Sequence, residues 1–163
     1  MIPIGNDVVD FQYAQQQSNW RRNGYLSKIF TDSEQSDIFN NSNQDLAVWQ
    51  LWSQKEAVYK IIRQLGAPRG FYPQKIKGNL NDSEFQKVAF ENQVFYCKTA
   101  VFEQHLHTIA VVEEHHFRSV QNIFRKDKIF KIGEFPYLQI NENQNIPISI
   151  SHHGNFEYCV GVF

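Results

Sequence analysis

The sequence has little cysteine and no long apolar run. Only two of its 163 residues are cysteines, Cys97 and Cys159, and both lie in apolar, strand-like runs. The N-terminus lacks a basic region followed by a long apolar one, so nothing resembles a secretory signal. No apolar run approaches the ~20 residues needed to cross a membrane. We therefore expect a reduced, cytoplasmic protein with no membrane partner.

The sequence also lacks an excess of charge of either sign. Sixteen basic and seventeen acidic residues give a formal net charge of −1. A general nucleic-acid-binding protein usually shows a strong basic excess, so we expect no nucleic-acid partner. No repeat, linker or low-complexity segment divides the chain, and its length suffices to bury one core. This predicts a single domain over residues 1–163.

The strongest helix signal runs from Asp45 to Gly66 and reads DLAVWQLWSQKEAVYKIIRQLG. Asp45 is placed to cap the start of this helix, and Gly66, followed by Pro68, is placed to end it. At about 100° per residue, an aliphatic stripe falls on one side and predicts the face that packs on the core. The residues of this stripe are Ala47, Leu51, Val58, Ile61, Ile62 and Leu65.

The opposite side of the predicted helix mixes charged and aromatic residues. Its members are Trp49, Trp52, Glu56, Tyr59, Lys60 and Arg63. Charges among aromatic residues that are usually buried suit a functional site. The alternative is an ordinary amphipathic helix, in which a Glu56–Lys60 pair contributes only a few tenths of a kcal/mol.

Strand signals surround this helix. The stretch MIPIGNDVVDF predicts a first strand containing Asp7, an acid that is costly in an apolar strand unless it is paired or bound to a metal. The alternative is that Asp7 caps a turn. Further runs predict a hairpin, from VFYCKTAVF and HTIAVVE, and three later strands, FPYLQI, IPISIS and FEYCVGVF.

Two further segments carry helix signals. The stretch FTDSEQSDIF predicts a short helix, with Thr31 and Glu34 placed to form a capping box. The segment from Phe117 to Phe130 is weakly helical and leads into a basic run. Such a run is usually a solvated face, and it also suits a phosphate or an acidic partner.

Three stretches resemble motifs of the 4′-phosphopantetheinyl transferases. They are IGNDVVD near the start, WSQKEAVYK at Trp52–Lys60, and SISHHGNFEYCVGVF at the end. Their order resembles the short, holo-acyl-carrier-protein-synthase type, in which the Asp strand comes first and the Ser-His strand last. The resemblance implies an α+β fold in which an antiparallel sheet packs against a long helix.

The resemblance also implies a reaction. In this family, 4′-phosphopantetheine passes from coenzyme A to a serine of an apo acyl or peptidyl carrier protein, and adenosine 3′,5′-bisphosphate is released. Attack at the β-phosphorus of a pyrophosphate concentrates negative charge, so Mg²⁺, cationic side chains and positioning should carry the catalysis. The partners expected from the resemblance are therefore coenzyme A and a carrier protein of fatty-acid, polyketide or peptide synthesis.

Individual residues match the family's functional positions. Asp7 and Glu56 match its metal carboxylates, and these two with Lys60 match its catalytic residues. Lys60, Ser151 and His152 match positions that contact coenzyme A. Asp10 matches an acidic position of the short type, so the resemblance leaves a third metal ligand open.

The short type further implies a homotrimer. The pocket would then lie between chains, with Asp7, Glu56 and Lys60 on one side and His152 of a neighbouring chain on the other. Two alternatives to the enzyme stay open at this point. One is a non-catalytic homologue that binds coenzyme A or a carrier protein, and the other is a protein-interaction module that docks a partner on its aromatic helix face.

Overall fold

The computed structural model describes residues 1–163 as two antiparallel sheets and four α-helices. Sheet A has the strand order β1-β5-β4-β3-β2, and sheet B has the order β6-β10-β9-β8-β7. The strands of sheet A are β1 (Ile4–Asp10), β2 (Ile76–Lys77), β3 (Gln86–Phe90), β4 (Gln93–Val101) and β5 (His105–Val111). Those of sheet B are β6 (Val120–Asn122), β7 (Ile129–Ile132), β8 (Phe135–Asn141), β9 (Gln144–His153) and β10 (Phe156–Val162).

The helices are α1 (Phe11–Gln17), α2 (Tyr25–Ile29), α3 (Asp32–Phe39) and α4 (Gln44–Gln64), and a 3₁₀ turn spans Glu114–Ser119. The predicted α+β class, with antiparallel strands packed against a long helix, is confirmed. The predicted hairpin is also present, as β4 and β5. None of the helices is long and apolar enough to span a membrane.

Helix α4 packs its aliphatic side on sheet A and on the shorter helices. The half nearer its N-terminus meets side chains from α3 and β5, and the other half meets β3, β4 and β5. Buried residues of the first half are Ala47, Val48 and Leu51, which pack with Phe30, Ile38 and Leu106. Those of the second half are Ala57, Val58, Ile61 and Ile62, which pack with Val88, Phe95 and Ala110.

The ends of α4 differ in part from the prediction. Asn43 caps the start, because its side chain accepts a hydrogen bond from the main-chain N–H of Leu46 at 3.1 Å. Asp45 as the cap is therefore wrong. Gly66 adopts the expected left-handed conformation, with φ of 99°. Leu65 was predicted to join the core, but its side chain is 51% exposed because it is the C-cap residue, where the chain leaves the helix.

The capping box of α3 is confirmed and extends into the core. Thr31 accepts from the N–H of Glu34, whose carboxylate accepts from the N–H of Thr31. The same carboxylate binds the buried ammonium of Lys55 at 2.8 Å. Lys55 also donates to the carbonyls of Pro73 and Ile76, so all three of its protons have acceptors. The residue before Glu56 thus fastens α3 and the segment before β2 to α4.

The predicted weak helix from Phe117 to Phe130 is wrong. After the 3₁₀ turn, β6 pairs with residues 160–162 of β10, and β7 begins at Ile129. Val120 packs against a cluster that includes Ile4 and Val160. Pairing with a distant strand and burial of Val120 outweigh a weak local helical preference.

Side chains, and not a backbone ladder, join β1 to sheet B. The main-chain N–H groups of Asn6 and Val8 donate to the hydroxyls of Ser149 and Ser151, at 2.9 and 3.0 Å. The N–H of Asp10 donates to Nδ1 of His153 at 2.9 Å. These three acceptors alternate along β9, so they lie on one face of that strand and follow the edge of β1.

Helix α4 contributes further hydrogen bonds to this edge. The ammonium of Lys60 donates to the carbonyls of Asn6 and Ile150, at 2.6 and 2.9 Å, and so bridges β1 and β9. The side-chain amide of Gln64 accepts from the N–H of Ile4 and donates to its carbonyl. We call this set of contacts along β1 the β1 edge joint.

Aromatic stacking reinforces the contact between the sheets. His105 and His107 of β5 are buried and stack on Phe156 and Tyr158 of β10, with ring centroids 3.8 and 3.9 Å apart. Burial lowers the pKa of His107 to about 4, so this ring is neutral at neutral pH. The stack therefore packs as uncharged aromatic surface.

Gly5 allows β1 and α4 to touch through their backbones. A Cβ atom at this position would lie 1.8 Å from the carbonyl oxygen of Ala57. We expect Gly5→Ala to lower the free energy of unfolding by about 3 kcal/mol, because the strand and helix would have to separate. Gly24→Ala is the control, since its φ is 85° but nothing lies within 4 Å; we expect it to cost about 1 kcal/mol. Chemical denaturation measures both, and equal costs would contradict the close approach.

Candidate active site

Asp7 lies at the centre of the site. It follows Gly5 by two residues, so the close approach of β1 to α4 places it beside that helix. Its Oδ2 atom is the buried side-chain oxygen in the structure that has no hydrogen-bond partner. The pKa of Asp7 is raised to about 7, chiefly by burial and also by the charge of Glu56, while the charge of Lys60 and the hydroxyls of Ser53 and Ser151 oppose the shift. An unpartnered buried carboxylate oxygen is the donor that a cation would satisfy.

Glu56 and Lys60 come to Asp7 from α4. Both side chains are half-buried and lie one turn apart on the helix. Burial raises the pKa of Glu56, against the charge of Lys60. Burial lowers the pKa of Lys60, against the charges of Asp7 and Glu56. Three ionisable groups in one poorly solvated place, with pKa values pushed toward neutrality, are typical of a functional site.

A small pocket of about 180 Å³ is lined by both acids. Asp7 and Glu56 lie on its wall together with His152 and His153. Aromatic residues complete the wall, including Tyr25, Trp49 and Trp52. All these residues belong to one chain, so a neighbouring chain is not needed to bring His152 to the acids.

A larger cavity of about 540 Å³ begins on the other side of Lys60. Its wall carries four cationic side chains, Lys60, Arg63, Arg69 and Lys131. Glu134 is the acid on this wall, and it forms ion pairs with both Arg63 and Arg69. The surplus of cations makes this cavity suitable for a ligand with several phosphate groups.

Another cavity, of about 560 Å³, lies away from these groups. It is lined by Trp20, Arg21, Asp45 and Phe102, among others. Of its charged residues, Arg21 and Asp45 bind each other at 2.9 Å, and Glu103 is exposed. We assign the chemistry to the acid pair and not to this cavity, because its wall has no buried acid without a partner.

The terminal Ser-His motif divides between two places. Ser151 is buried, and its hydroxyl accepts from Val8 within the β1 edge joint. It therefore faces β1, and it is absent from the walls of both pockets beside Lys60. His152 is exposed and lines the small pocket. The resemblance grouped these two residues, whereas the alternation of the strand places them on opposite faces.

Asp10 has a different task from Asp7. Its carboxylate accepts from the N–H of Tyr13, which caps α1, and from the N–H of Asn155 in the turn between β9 and β10. The hydrogen bond from Asn155 is the main reason that the pKa of Asp10 is lowered. Since this carboxylate is occupied and lies outside the small pocket, it is not placed to be a third metal ligand.

The donor set suits Mg²⁺. No group of three or more His, Cys, Asp and Glu side chains is arranged to hold a metal ion. Two carboxylates from the protein, completed by water and substrate phosphate oxygens, are nevertheless the usual set for Mg²⁺. Asp7 and Glu56 supply that pair of hard oxygen ligands, and Asp7 has an oxygen with no other partner.

His153 and the cationic cavity are the parts of the site that sequence patterns did not identify. Ser149, Ser151 and His153 recur at every second position, which is the signal of one strand face. That signal would have placed His153 with the serines. The residues of the cationic cavity come from α4, from the loop after it and from β7 to β9, so no local pattern connects them.

The comparison with known families decides the identity. Residues 3–119 match the family model described as the 4′-phosphopantetheinyl transferase superfamily. The chain belongs to this superfamily. The match covers more than half of the chain and contains β1 and α4, with Asp7, Glu56 and Lys60, and it ends before β9. The predicted resemblance is thereby confirmed, and this phosphopantetheinyl transferase is an enzyme by family, not an interaction module.

Solved structures show the same fold. The holo-[acyl-carrier-protein] synthase of Neisseria meningitidis has a TM-score of 0.57 and 14% identity, with 70% of this chain and 100% of that chain covered. The synthase of Thermotoga maritima has a TM-score of 0.54 and 12% identity, with 99% of this chain and 84% of that chain covered. At such low identities the likeness establishes the fold alone. None of the curated protein sequences matches this transferase.

The raised pKa of Asp7 predicts a pH-dependent gain in stability for Asp7→Asn. The pKa of Asp7 is 3.8 in the unfolded chain and about 7 in the folded protein. The contribution of Asp7 to the free energy of unfolding therefore falls as the pH rises from 3.8 through about 7. Without metal, we expect the variant to be more stable than the wild type by up to about 4 kcal/mol at about pH 8, and by little at about pH 4.

Mg²⁺ should reverse this order. We expect Mg²⁺ to raise the Tm of the wild type and to leave that of Asp7→Asn nearly unchanged, because a bound ion stabilises only the state that holds it. Thermal denaturation at several pH values measures both effects. Asp37→Asn, at an exposed position of α3, is the control and should change neither. If, without metal, Asp7→Asn and the wild type were equally stable at about pH 8, the ionised Asp7 carboxylate would not destabilise the folded protein, and the prediction would be wrong.

Proposed function

We propose that this transferase moves 4′-phosphopantetheine from coenzyme A to a serine of an apo acyl or peptidyl carrier protein and releases adenosine 3′,5′-bisphosphate. One observation carries the proposal. Asp7, whose buried Oδ2 has no hydrogen-bond partner, lines a pocket with Glu56, and Lys60 beside it lines a cavity rich in cations. Family membership supplies the reaction class, and this arrangement suits a pyrophosphate substrate.

In this proposal, Asp7 and Glu56 hold Mg²⁺. When bound, the ion neutralises charge on the pyrophosphate oxygens as the transition state forms. Such an ion also removes the electrostatic conflict between the two acids, because both become favourable when ionised.

Glu56 is the proposed base. Its raised pKa suits the removal of the proton from the carrier serine, because a base is most effective when its pKa approaches the working pH. The serine oxygen then forms a bond to the β-phosphorus, and the bond from that phosphorus to the leaving adenosine 3′,5′-bisphosphate breaks. Two N–H groups of the Lys60 ammonium donate to the carbonyls of Asn6 and Ile150. We propose that the third donates a hydrogen bond to a phosphate oxygen.

The cationic cavity is the proposed place for the remaining phosphates of coenzyme A. Arg63, Arg69 and Lys131 would bind them, with Glu134 displaced from the two arginines. His152, exposed at the small pocket, is a proposed contact of the coenzyme, as the resemblance implies. For Ser151 we propose a supporting role, because its hydroxyl is engaged by Val8.

Two wider expectations belong to the same proposal. We propose that residues 1–163 act as one domain, which the β1 edge joint supports because it ties β1 to β9. We also propose a cytoplasmic location, which the free, buried thiols of Cys97 and Cys159 support. Size-exclusion chromatography after limited proteolysis tests the first, and fractionation of cells tests the second.

Direct transfer is the decisive experiment. The protein is incubated with coenzyme A, Mg²⁺ and a panel of apo carrier proteins, and intact-mass spectrometry detects one added phosphopantetheine. We expect Asp7→Asn and Glu56→Gln each to lower the rate by about 10²-fold or more, since each removes a metal ligand or the base. Glu114→Gln, at an exposed acid of the 3₁₀ turn, is the control and should retain the wild-type rate.

Further arms of this experiment separate the parts of the proposal. Dephospho-coenzyme A should be a poorer substrate if the cationic cavity binds the 3′-phosphate. Near-wild-type transfer by Asp7→Asn or Glu56→Gln in saturating Mg²⁺ would refute the role of that residue. If no carrier in the panel gains mass while coenzyme A still binds, the non-catalytic homologue is the correct alternative.

We propose a homotrimer as the working form. The resemblance to the short type implies it, and exposed apolar side chains in or beside the strands of sheet B support contacts between copies. These are Phe124, Ile132 and Phe163. Light scattering should give three times the chain mass, and a monomeric mass would refute the trimer.

A mixing test shows whether the trimer shares its pocket. His152 shares a wall with Asp7 and Glu56 of its own chain. We therefore expect that inactive Glu56→Gln and His152→Ala chains, refolded together, do not recover activity. Recovery well above either parent would mean that the working pocket forms between chains.

A further inference from the structure

The tautomer of His153 is fixed by the main chain. The N–H of Asp10 donates to Nδ1 of His153 at 2.9 Å. A main-chain N–H can only donate, so Nδ1 must present its lone pair. The neutral ring then carries its single proton on Nε2, and protonation of Nδ1 would break this hydrogen bond.

The surroundings hold the ring in place. Tyr13 packs against it edge to face, with ring centroids 4.8 Å apart. Gly154 allows the following turn to pass close to Asp10. Its φ is 55°, and a Cβ there would lie 2.2 Å from Oδ2 of Asp10. Asp10 can therefore reach the N–H of Asn155, and the same residue anchors both His153 and the turn after it.

The other nitrogen of His153 is free. Its Nε2 makes no hydrogen bond within the protein, and it is not among the buried atoms without a partner. The ring lies on the wall of the small pocket with Asp7 and Glu56. This oriented N–H, which has no protein acceptor and lies beside two acids proposed to hold a cation, is available to an acceptor that arrives with the ligand.

We propose that Nε2–H of His153 donates a hydrogen bond to a non-bridging oxygen of the substrate pyrophosphate, which makes His153 a substrate-binding residue. This inference rests on the proposed function. His153 differs from His152 in that its tautomer and its ring orientation are both set before the ligand binds. A neutral donor also adds no positive charge that would compete with a divalent ion for the two acids.

Two substitutions separate the donor from the structural role of the ring. In His153→Asn, the side-chain oxygen can replace Nδ1 and keep the hydrogen bond from Asp10, but nothing replaces Nε2–H. In His153→Gln, the amide nitrogen can reach the place of Nε2, but the acceptor for Asp10 is lost. His115→Asn, at an exposed histidine of the 3₁₀ turn, is the matched control.

We expect His153→Asn to lose less stability than His153→Gln, because it keeps the hydrogen bond from Asp10, and to bind coenzyme A about tenfold or more weakly than the wild type, since a donor to a charged group is lost. We expect His153→Gln to be less stable and to bind coenzyme A more tightly than His153→Asn. Calorimetry with coenzyme A, and with inorganic pyrophosphate, measures affinity without a carrier protein. If the ring were only structural, His153→Asn would bind coenzyme A at least as tightly as His153→Gln.

A spectroscopic measurement gives a second, independent readout. The ¹⁵N shifts of His153 should show the Nε2–H tautomer in the free protein and a shift of Nε2 when coenzyme A or pyrophosphate binds. An Nδ1–H tautomer, or unchanged affinity in His153→Asn, would overturn the inference. If transfer to carriers persists in that case, the proposed function stands and only the role of His153 fails. If the wild type binds neither ligand, both fail.

Discussion

The outer edge of β1 is the constraint on which the rest of the structure depends. One edge of β1 pairs with β5, and the other would leave main-chain N–H and C=O groups without partners inside the protein, at about 1–3 kcal/mol each. Side chains fill this need, with Gln64 and Lys60 from α4 and the two serines and His153 from β9. The same contacts fix Asp7 between the helix and sheet B, so the site is a product of how that edge is satisfied.

The buried charged groups of the site lower the stability of the folded protein. Burial acts against the charged forms of Asp7, Glu56 and Lys60 at once, as the directions of their pKa shifts show. Lys55 shows the contrast, because its buried ammonium has a carboxylate and two carbonyls as partners. The core thus contains a satisfied ion pair, made by Lys55 of α4, and an acid with an unpartnered oxygen, Asp7 of β1. A group left unsatisfied by the protein is the one available to a ligand.

Sequence patterns predicted the structural features that depend on residues close together in the chain. The 3.6-residue period gave α4, the Thr31–Glu34 spacing gave the capping box, and alternation gave the β4–β5 hairpin. The resemblance gave the acid pair and Lys60. The helix predicted around Val120 is wrong because the distant strand β10 pairs with this segment. Leu65 is exposed because the helical period does not show where the helix ends. Alternation along β9 separates Ser151 from His152 and groups His153 with the serines, but only the folded structure shows that Ser151 and His153 accept hydrogen bonds from the main chain of β1.

The β1 edge joint also sets the order of assembly. The hydrogen bonds between β1 and β9 connect residues 143 positions apart, so they form only after the entropy of a very long loop has been lost. Helix α4 and sheet A can pack before then, with the outer edge of β1 still hydrated. Asp7 acquires its dry, unpartnered oxygen only when β9 docks. A chain in which β9 has not yet docked would therefore lack the site altogether. Catalytic competence would appear in a single late step of folding.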